Sequence, residues 1–293
     1  MTRRWRSILW TLAFGVAAIL VCAPLARTAD DTCAVCHEDA VKAFSKSNHG
    51  RAFAGDQSLG GSCTSCHGPT EAHLEANGAG HIINPRKAPA SQANATCLTC
   101  HDGKPGQAHW QGSAHEQAGN KCVSCHDVHA RVAGTPVQVK SLSGTADTTQ
   151  KCLECHGQIR ASLHQRSSHP MADGQLTCAS CHNPHGSAGE KLLRKGSVND
   201  LCYSCHQQLR GPFLWEHSPV REDCLTCHQA HGSNYPSLLV ARTTQLCNSC
   251  HQQGRHQTIP GVPPSVWLSN KACLNCHSQI HGTNHPSGPL FQR

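Results

Sequence analysis

HPMADGQLTCASCHNPHG, residues 169–186, contains the unit from which the whole chain is built. It holds a leading histidine, His169, a Cys-x-x-Cys-His run made by Cys178, Cys181 and His182, and a trailing histidine, His185. Two thiols at this spacing can bond both vinyl groups of one porphyrin, and the histidine that follows turns its imidazole onto the iron. Attachment site and axial ligand are then one device.

The run occurs ten times: Cys33, Cys36 and His37; Cys63, Cys66 and His67; Cys97, Cys100 and His101; Cys122, Cys125 and His126; Cys152, Cys155 and His156; Cys178, Cys181 and His182; Cys202, Cys205 and His206; Cys224, Cys227 and His228; Cys247, Cys250 and His251; Cys273, Cys276 and His277. Paired Cys-x-x-Cys is also the spacing of zinc ribbons and redox dithiols. Zinc, however, does not require a histidine directly after the second cysteine. With 24 histidines among 293 residues, finding one there in all ten motifs is not chance. The motifs therefore predict ten covalently bound haem c groups, each with its iron. Twenty of the 21 cysteines are consumed and the last, Cys22, lies near the N-terminus, so no disulfide framework remains.

Residues 1–29 have a basic start (Arg3, Arg4, Arg6) and an apolar run from Ile8 to Leu25. They read as a cleaved secretory signal peptide with a cut near Ala29 or at Ala26; a retained anchor is the alternative. Residues 30–293 then form one decahaem domain, a row of five two-haem modules. Removing the four arginines of the leader lowers the net charge from +7 to +3. Haem propionates turn the balance negative, so the basicity is no argument for nucleic acid, and no basic stripe interleaved with aromatics is present.

Aromatic residues are 4% of the chain, which is rich in Gly, Pro, Ser, Thr and Gln. A bare polypeptide of this kind would be disordered. Ten porphyrins would supply the apolar bulk, which couples folding to cofactor attachment. Successive motifs start 22 to 34 residues apart, the period of a repeat architecture. EKLLRKGSVNDLCYSCH (190–206) matches PSLLVARTTQLCNSCH (236–251), and both follow a Cys-His-x-x-His-Gly. Gly and Pro punctuate every interval. The fold class expected is a multihaem cytochrome c, an elongated haem chain wrapped by loops and short helices with little or no β structure.

Fourteen histidines lie outside the motifs, and the only methionines are Met1 and Met171. The sixth ligands are therefore histidines, which gives low-potential bis-histidine haems. In consecutive pairs of motifs, a leading histidine precedes the even motif and a trailing one follows it. The leading set is His49, His115, His169, His217 and His256; the trailing set is His73, His129, His185, His231 and His281. The spacing suggests that each trailing histidine reaches the odd haem of its own pair and each leading one the even haem. His285 competes with His256 for the last position. His81, His109 and His164 break the pattern and read as solvated loop residues.

The runs SSHPM (167–171), CASCHNPHGS (178–187), SVNDLCYSCH (197–206), LWEHSPVREDCLTCHQAHGS (214–233) and CLNCHSQIHGTNHPSG (273–288) resemble the decahaem periplasmic subunits of outer-membrane porin–cytochrome complexes, the MtrA, MtoA, PioA and DmsE group. The resemblance implies a cytochrome threaded into a β-barrel porin, exchanging electrons with periplasmic electron-transfer cytochromes and an extracellular multihaem cytochrome. It implies no substrate chemistry, only conduction towards or from extracellular donors and acceptors such as iron. A soluble periplasmic shuttle and a multihaem oxyanion reductase are the alternatives; a reductase needs an iron with an open position. Because haem supplies the core, the chain exported from cells that lack haem attachment should show no cooperative unfolding transition by circular dichroism.

Overall fold

The computed structural model describes residues 29–55, 63–78, 80–129, 145–252 and 272–292. The leader and His256 lie outside these residues. Among the described residues there are helices, turns and four isolated β-bridges, with no strand. This is the helix-and-loop architecture of a multihaem cytochrome c.

Odd and even motifs are built differently. Odd motifs sit on or at the end of a helix: Ala29–Ser45, Ala90–His101, Thr145–Leu153, Val198–Tyr203 and Thr243–Asn248. Even motifs occupy a single turn, α-helical at Thr64–His67, Cys122–Cys125 and Cys178–Cys181 and 3-10 at Cys224–Thr226 and Cys273–Asn275. In both kinds the motif histidine donates its backbone N–H to the carbonyl of the first cysteine, at 2.9–3.0 Å in His67, His126, His156, His182, His206, His228, His251 and His277. One helical turn thus sets both sulfurs on one side and leaves the imidazole beside them. The first helix breaks its own geometry at His37 (φ −121°, ψ 42°) to achieve this.

Side chains alone make almost no core. Ala43, Ala93, Trp110 and Leu153 are the buried hydrophobic residues among those described, while Val35, Leu214 and Leu290 are exposed. Burial on this scale cannot offset the conformational entropy of ordering such a chain. The polypeptide is instead tied by polar contacts that repeat from module to module. Asn94, three residues before Cys97, donates to the Asn120 carbonyl and accepts from the Cys122 N–H at 2.8 Å. Asn199, three residues before Cys202, donates to the Val220 and Arg221 carbonyls and accepts from the Cys224 N–H at 2.8 Å. Each asparagine clamps an odd helix to the following even motif.

More distant modules interlock through the trailing His-Gly dipeptide. At Gly186 (φ 109°) the chain passes so close to His109 that a Cβ would be driven into its backbone carbonyl, and at Gly232 (φ 152°) the same holds for the carbonyl of Ser162. Next to the second crossing, Ser167 and Ser233 exchange both backbone hydrogen bonds at 2.8 Å. Gly232→Ala should therefore lower the stability of the haem-loaded protein by roughly 1–3 kcal/mol, whereas Gly196→Ala, at an open site of ordinary φ, should stay within about 0.5 kcal/mol; thermal unfolding followed at the Soret band compares the two.

Candidate haem-binding sites

An imidazole on each side of one iron, with metal–nitrogen bonds of about 2.0 Å, sets the two ring centroids about 6 Å apart. Nine pairs of histidines among the described residues meet that requirement. They are His37–His73 at 6.2 Å, His129–His67 at 6.1 Å, His49–His101 at 5.9 Å, His185–His126 at 5.7 Å, His115–His156 at 6.2 Å, His231–His182 at 6.0 Å, His169–His206 at 6.4 Å, His281–His228 at 6.0 Å and His217–His251 at 6.1 Å. Each joins one motif histidine to one spare histidine. No group of three or more His, Cys, Asp or Glu side chains suited to a metal is gathered among the described residues. Paired rings with nothing else converging are what an iron already held by a porphyrin needs, and they are not a zinc ribbon.

The partners differ from the within-pair scheme that the spacing suggests. Only His73 faces the odd motif of its own pair. The other trailing histidines, His129, His185, His231 and His281, face the even motif of the preceding pair, and the leading histidines His49, His115, His169 and His217 face the odd motif of the next pair. The two motifs of a pair meet through their first cysteines, Cys97 with Cys122, Cys152 with Cys178, Cys202 with Cys224 and Cys247 with Cys273. With attachment edges abutting inside the pair, the second ring is supplied from a neighbouring module. The second cysteines make the complementary link: Cys66 lies near Cys100, Cys125 near Cys155, Cys181 near Cys205 and Cys227 near Cys250. These thiols stand for the thioether sulfurs of attached haem, so the motifs from the second to the tenth adjoin one another in sequence order.

Ring tautomers fit iron as well. A backbone carbonyl can only accept, so a histidine whose Nδ1 meets one carries its proton there and leaves Nε2 free for the metal. Among motif histidines this holds for His67 with Ile83 (2.7 Å), His182 with Lys191 (2.8 Å), His228 with Ser237 (2.8 Å) and His277 with Leu290 (2.5 Å). Among their partners it holds for His73 with Gly80 (2.9 Å), His115 with Pro184 (2.8 Å), His169 with Ala230 (2.9 Å) and His185 with Gly106 (3.1 Å). Burial lowers the pKa of His49, His126, His129, His217, His231 and His281, which favours the neutral imidazole that binds metal.

His285 has the opposite arrangement. Its Nδ1 accepts the Ser287 N–H at 3.1 Å, which puts the ring proton on Nε2. His81, His109 and His164 are exposed, and none is set against a motif histidine among the described residues. What the sequence reading missed is the supporting frame. Its signals were an asparagine three residues before Cys97 and Cys202, and the glycine after His185 and His231.

The motifs themselves are shared with known proteins. A doubled CXXCH motif family model matches residues 169–211 and 217–256, and a cytochrome c-type NrfB-like model matches residues 63–143. The multiheme cytochrome MtrA of Shewanella baltica is 39% identical over 277 residues, covering 90% of this chain and 81% of that protein. The chain belongs to the MtrA family of multihaem cytochromes. A high-molecular-weight cytochrome c of Nitratidesulfovibrio vulgaris is 22% identical over 177 residues, covering 59% of this chain and 30% of the relative. Among solved structures, the undecaheme cytochrome from the S-layer of Carboxydothermus ferrireducens is 22% identical, covers 79% of this chain and 32% of its own, and superposes with a TM-score of 0.12.

As an MtrA-family protein the chain carries covalently bound c-type haem and transfers electrons. The Cys-x-x-Cys pairs would supply the thioether sulfurs, and the facing imidazoles would hold the iron from both sides. The crossed pairing has a direct test. In the haem-loaded protein His185→Ala should turn one haem from low to high spin, and that haem should be the one on Cys122 and Cys125; magnetic circular dichroism, with Cys122→Ser and Cys125→Ser variants to assign the signal, should show the haem on Cys152 and Cys155 unchanged.

Proposed function

We propose that this chain is an electron conduit of ten bis-histidine c haems that crosses the outer membrane inside a β-barrel porin. The observation that carries the reading is the set of nine histidine pairs, each joining a motif histidine to a ring from elsewhere in the chain. An iron held on both faces has no position for a substrate, which leaves electron transfer as its task. For the tenth haem, on Cys273 and Cys276, His256 is the preferred sixth ligand, because His285 presents the wrong tautomer.

Adjoining motifs from the second to the tenth support a continuous path. A bilayer with its headgroups is about 40–45 Å thick, which one haem cannot bridge and a row can. No described helix is long and apolar enough to cross a membrane, and polar loops cannot face lipid, so a closed barrel is the sheath that fits. In this arrangement the periplasmic end exchanges electrons with soluble cytochromes. The outer end exchanges them with extracellular iron, by ferrous oxidation or ferric mineral reduction, through an extracellular multihaem cytochrome where one is present.

Electron paramagnetic resonance of the oxidised protein, with haem quantified per chain, tests the closed coordination. The expected result is ten haems, all low spin. A high-spin ferric signal would point to an open site and an oxyanion substrate. Isolation of the native complex separates the remaining readings: a large β-barrel partner is expected, and its absence would leave a soluble periplasmic shuttle.

A further inference from the structure

Three leading histidines occupy equivalent places in the repeat. His115 and His169 donate Nδ1–H to the carbonyl of the residue just before a trailing histidine, Pro184 before His185 and Ala230 before His231. By the same rule His217 should donate to the carbonyl of Ile280, before His281. It does not: the Nδ1 of His217 is buried with no hydrogen-bond partner among the described residues. The surrounding frame is otherwise preserved. Trp215 and Thr283 exchange backbone bonds just as Ser167 and Ser233 do, in each case two residues before the leading histidine and two after the trailing one.

The sequence contains the reason. Two residues separate the histidines in CHNPHG (181–186) and CHQAHG (227–232), but three separate them in CHSQIHG (276–282). In the first two, the residue directly after the motif histidine, Asn183 or Gln229, donates its N–H to the carbonyl of Leu192 or Leu238 at 2.7 Å. In the last, the equivalent bond to Phe291 comes from Gln279, one residue further on, at 3.0 Å. Ser278 is therefore the extra residue. The turn that follows keeps its form, since Gly282 bonds the Gln279 carbonyl at 3.0 Å as Gly186 bonds that of Asn183 at 3.0 Å. It simply sits one residue further from its motif. The Phe291 ring packs against His217 instead, with the two ring centroids 5.7 Å apart.

We propose that the insertion of Ser278 removes the carbonyl bond of His217, and so gives the haem on Cys247 and Cys250 a higher reduction potential than its counterparts on Cys152 and Cys155 and on Cys202 and Cys205. The inference rests on the ligand assignment above. A carbonyl held rigidly on Nδ1 makes the imidazole a stronger electron donor and favours ferric iron. An imidazole whose Nδ1 meets no carbonyl does so less. The motif histidines of the three haems, His156, His206 and His251, differ from His182 and His228 in that none bonds a backbone carbonyl through Nδ1 among the described residues, so the difference between the three haems lies on the leading-histidine side.

The test uses the full haem-loaded chain and a variant lacking Ser278, followed by proton NMR of the paramagnetically shifted imidazole signals during a potentiometric titration. In the unmodified chain the Nδ1 proton of His217 should exchange with deuterium at least tenfold faster than those of His115 and His169. In the deletion its exchange should slow to match theirs, and the midpoint of that one haem should fall while the others stay in place. Unchanged midpoints in a fully loaded deletion variant would overturn the proposal. Should the deletion fail to load haem, equal exchange rates for the three imidazoles in the unmodified chain would overturn it alone. His217→Met separates the two levels of the argument: if it leaves the haem on Cys247 and Cys250 unaltered and changes another, the ligand assignment itself falls, and the proposal with it.

Discussion

The facing of two imidazoles from different modules is the interaction on which the rest of the molecule depends. A chain of 293 residues would ordinarily bury a continuous apolar core, and this one buries four hydrophobic side chains among its described residues. Covalently bound haem would fill the space between ring pairs, with the polypeptide as a set of brackets around it. Each bracket is short, because a helical turn is all that two thioethers and one imidazole require.

The crossed pairing turns separate brackets into one body. A trailing histidine such as His231 bonds backward across one module boundary while a leading histidine such as His169 reaches forward across the same boundary to His206. The glycine crossings lie along these boundaries, while the Asn94 and Asn199 clamps join the two motifs inside a module. Hydrogen bonds from Nδ1 to backbone carbonyls do the remaining work by fixing both the ring plane and the tautomer. Polar contacts worth about 1 kcal/mol each in isolation gain their effect here by orienting ligands.

Much of this was legible in the sequence. Ten motifs, the absence of a usable methionine and the two series of spare histidines define the chemistry without any structure, and the punctuation by Gly and Pro excludes sheets. The partners of each ring were not legible. Spacing along the chain shows that His185 is too close to His182 to cross its own haem, yet it does not say which neighbour lies on the open side. That depends on the abutting of Cys152 with Cys178, a contact between residues 26 apart that leaves no trace in local pattern. The frame residues were hidden for a similar reason: a single asparagine or glycine becomes meaningful only when the segment it meets, as Gly232 meets Ser162, is known.

His73 is the exception to the crossed rule, since it turns to His37 within its own pair. Each trailing histidine lends itself to the preceding module, so the trailing ligand of the first module is left unspent, and His73 closes that edge on itself. Lengthening such a protein by duplicating an interior module preserves every bond, because lender and borrower are copied together. Adding a module before the first would instead expose His37 to a new lender and set His73 adrift. Growth of such a haem row is therefore an interior operation, because the ligand chemistry of the first module is closed on itself.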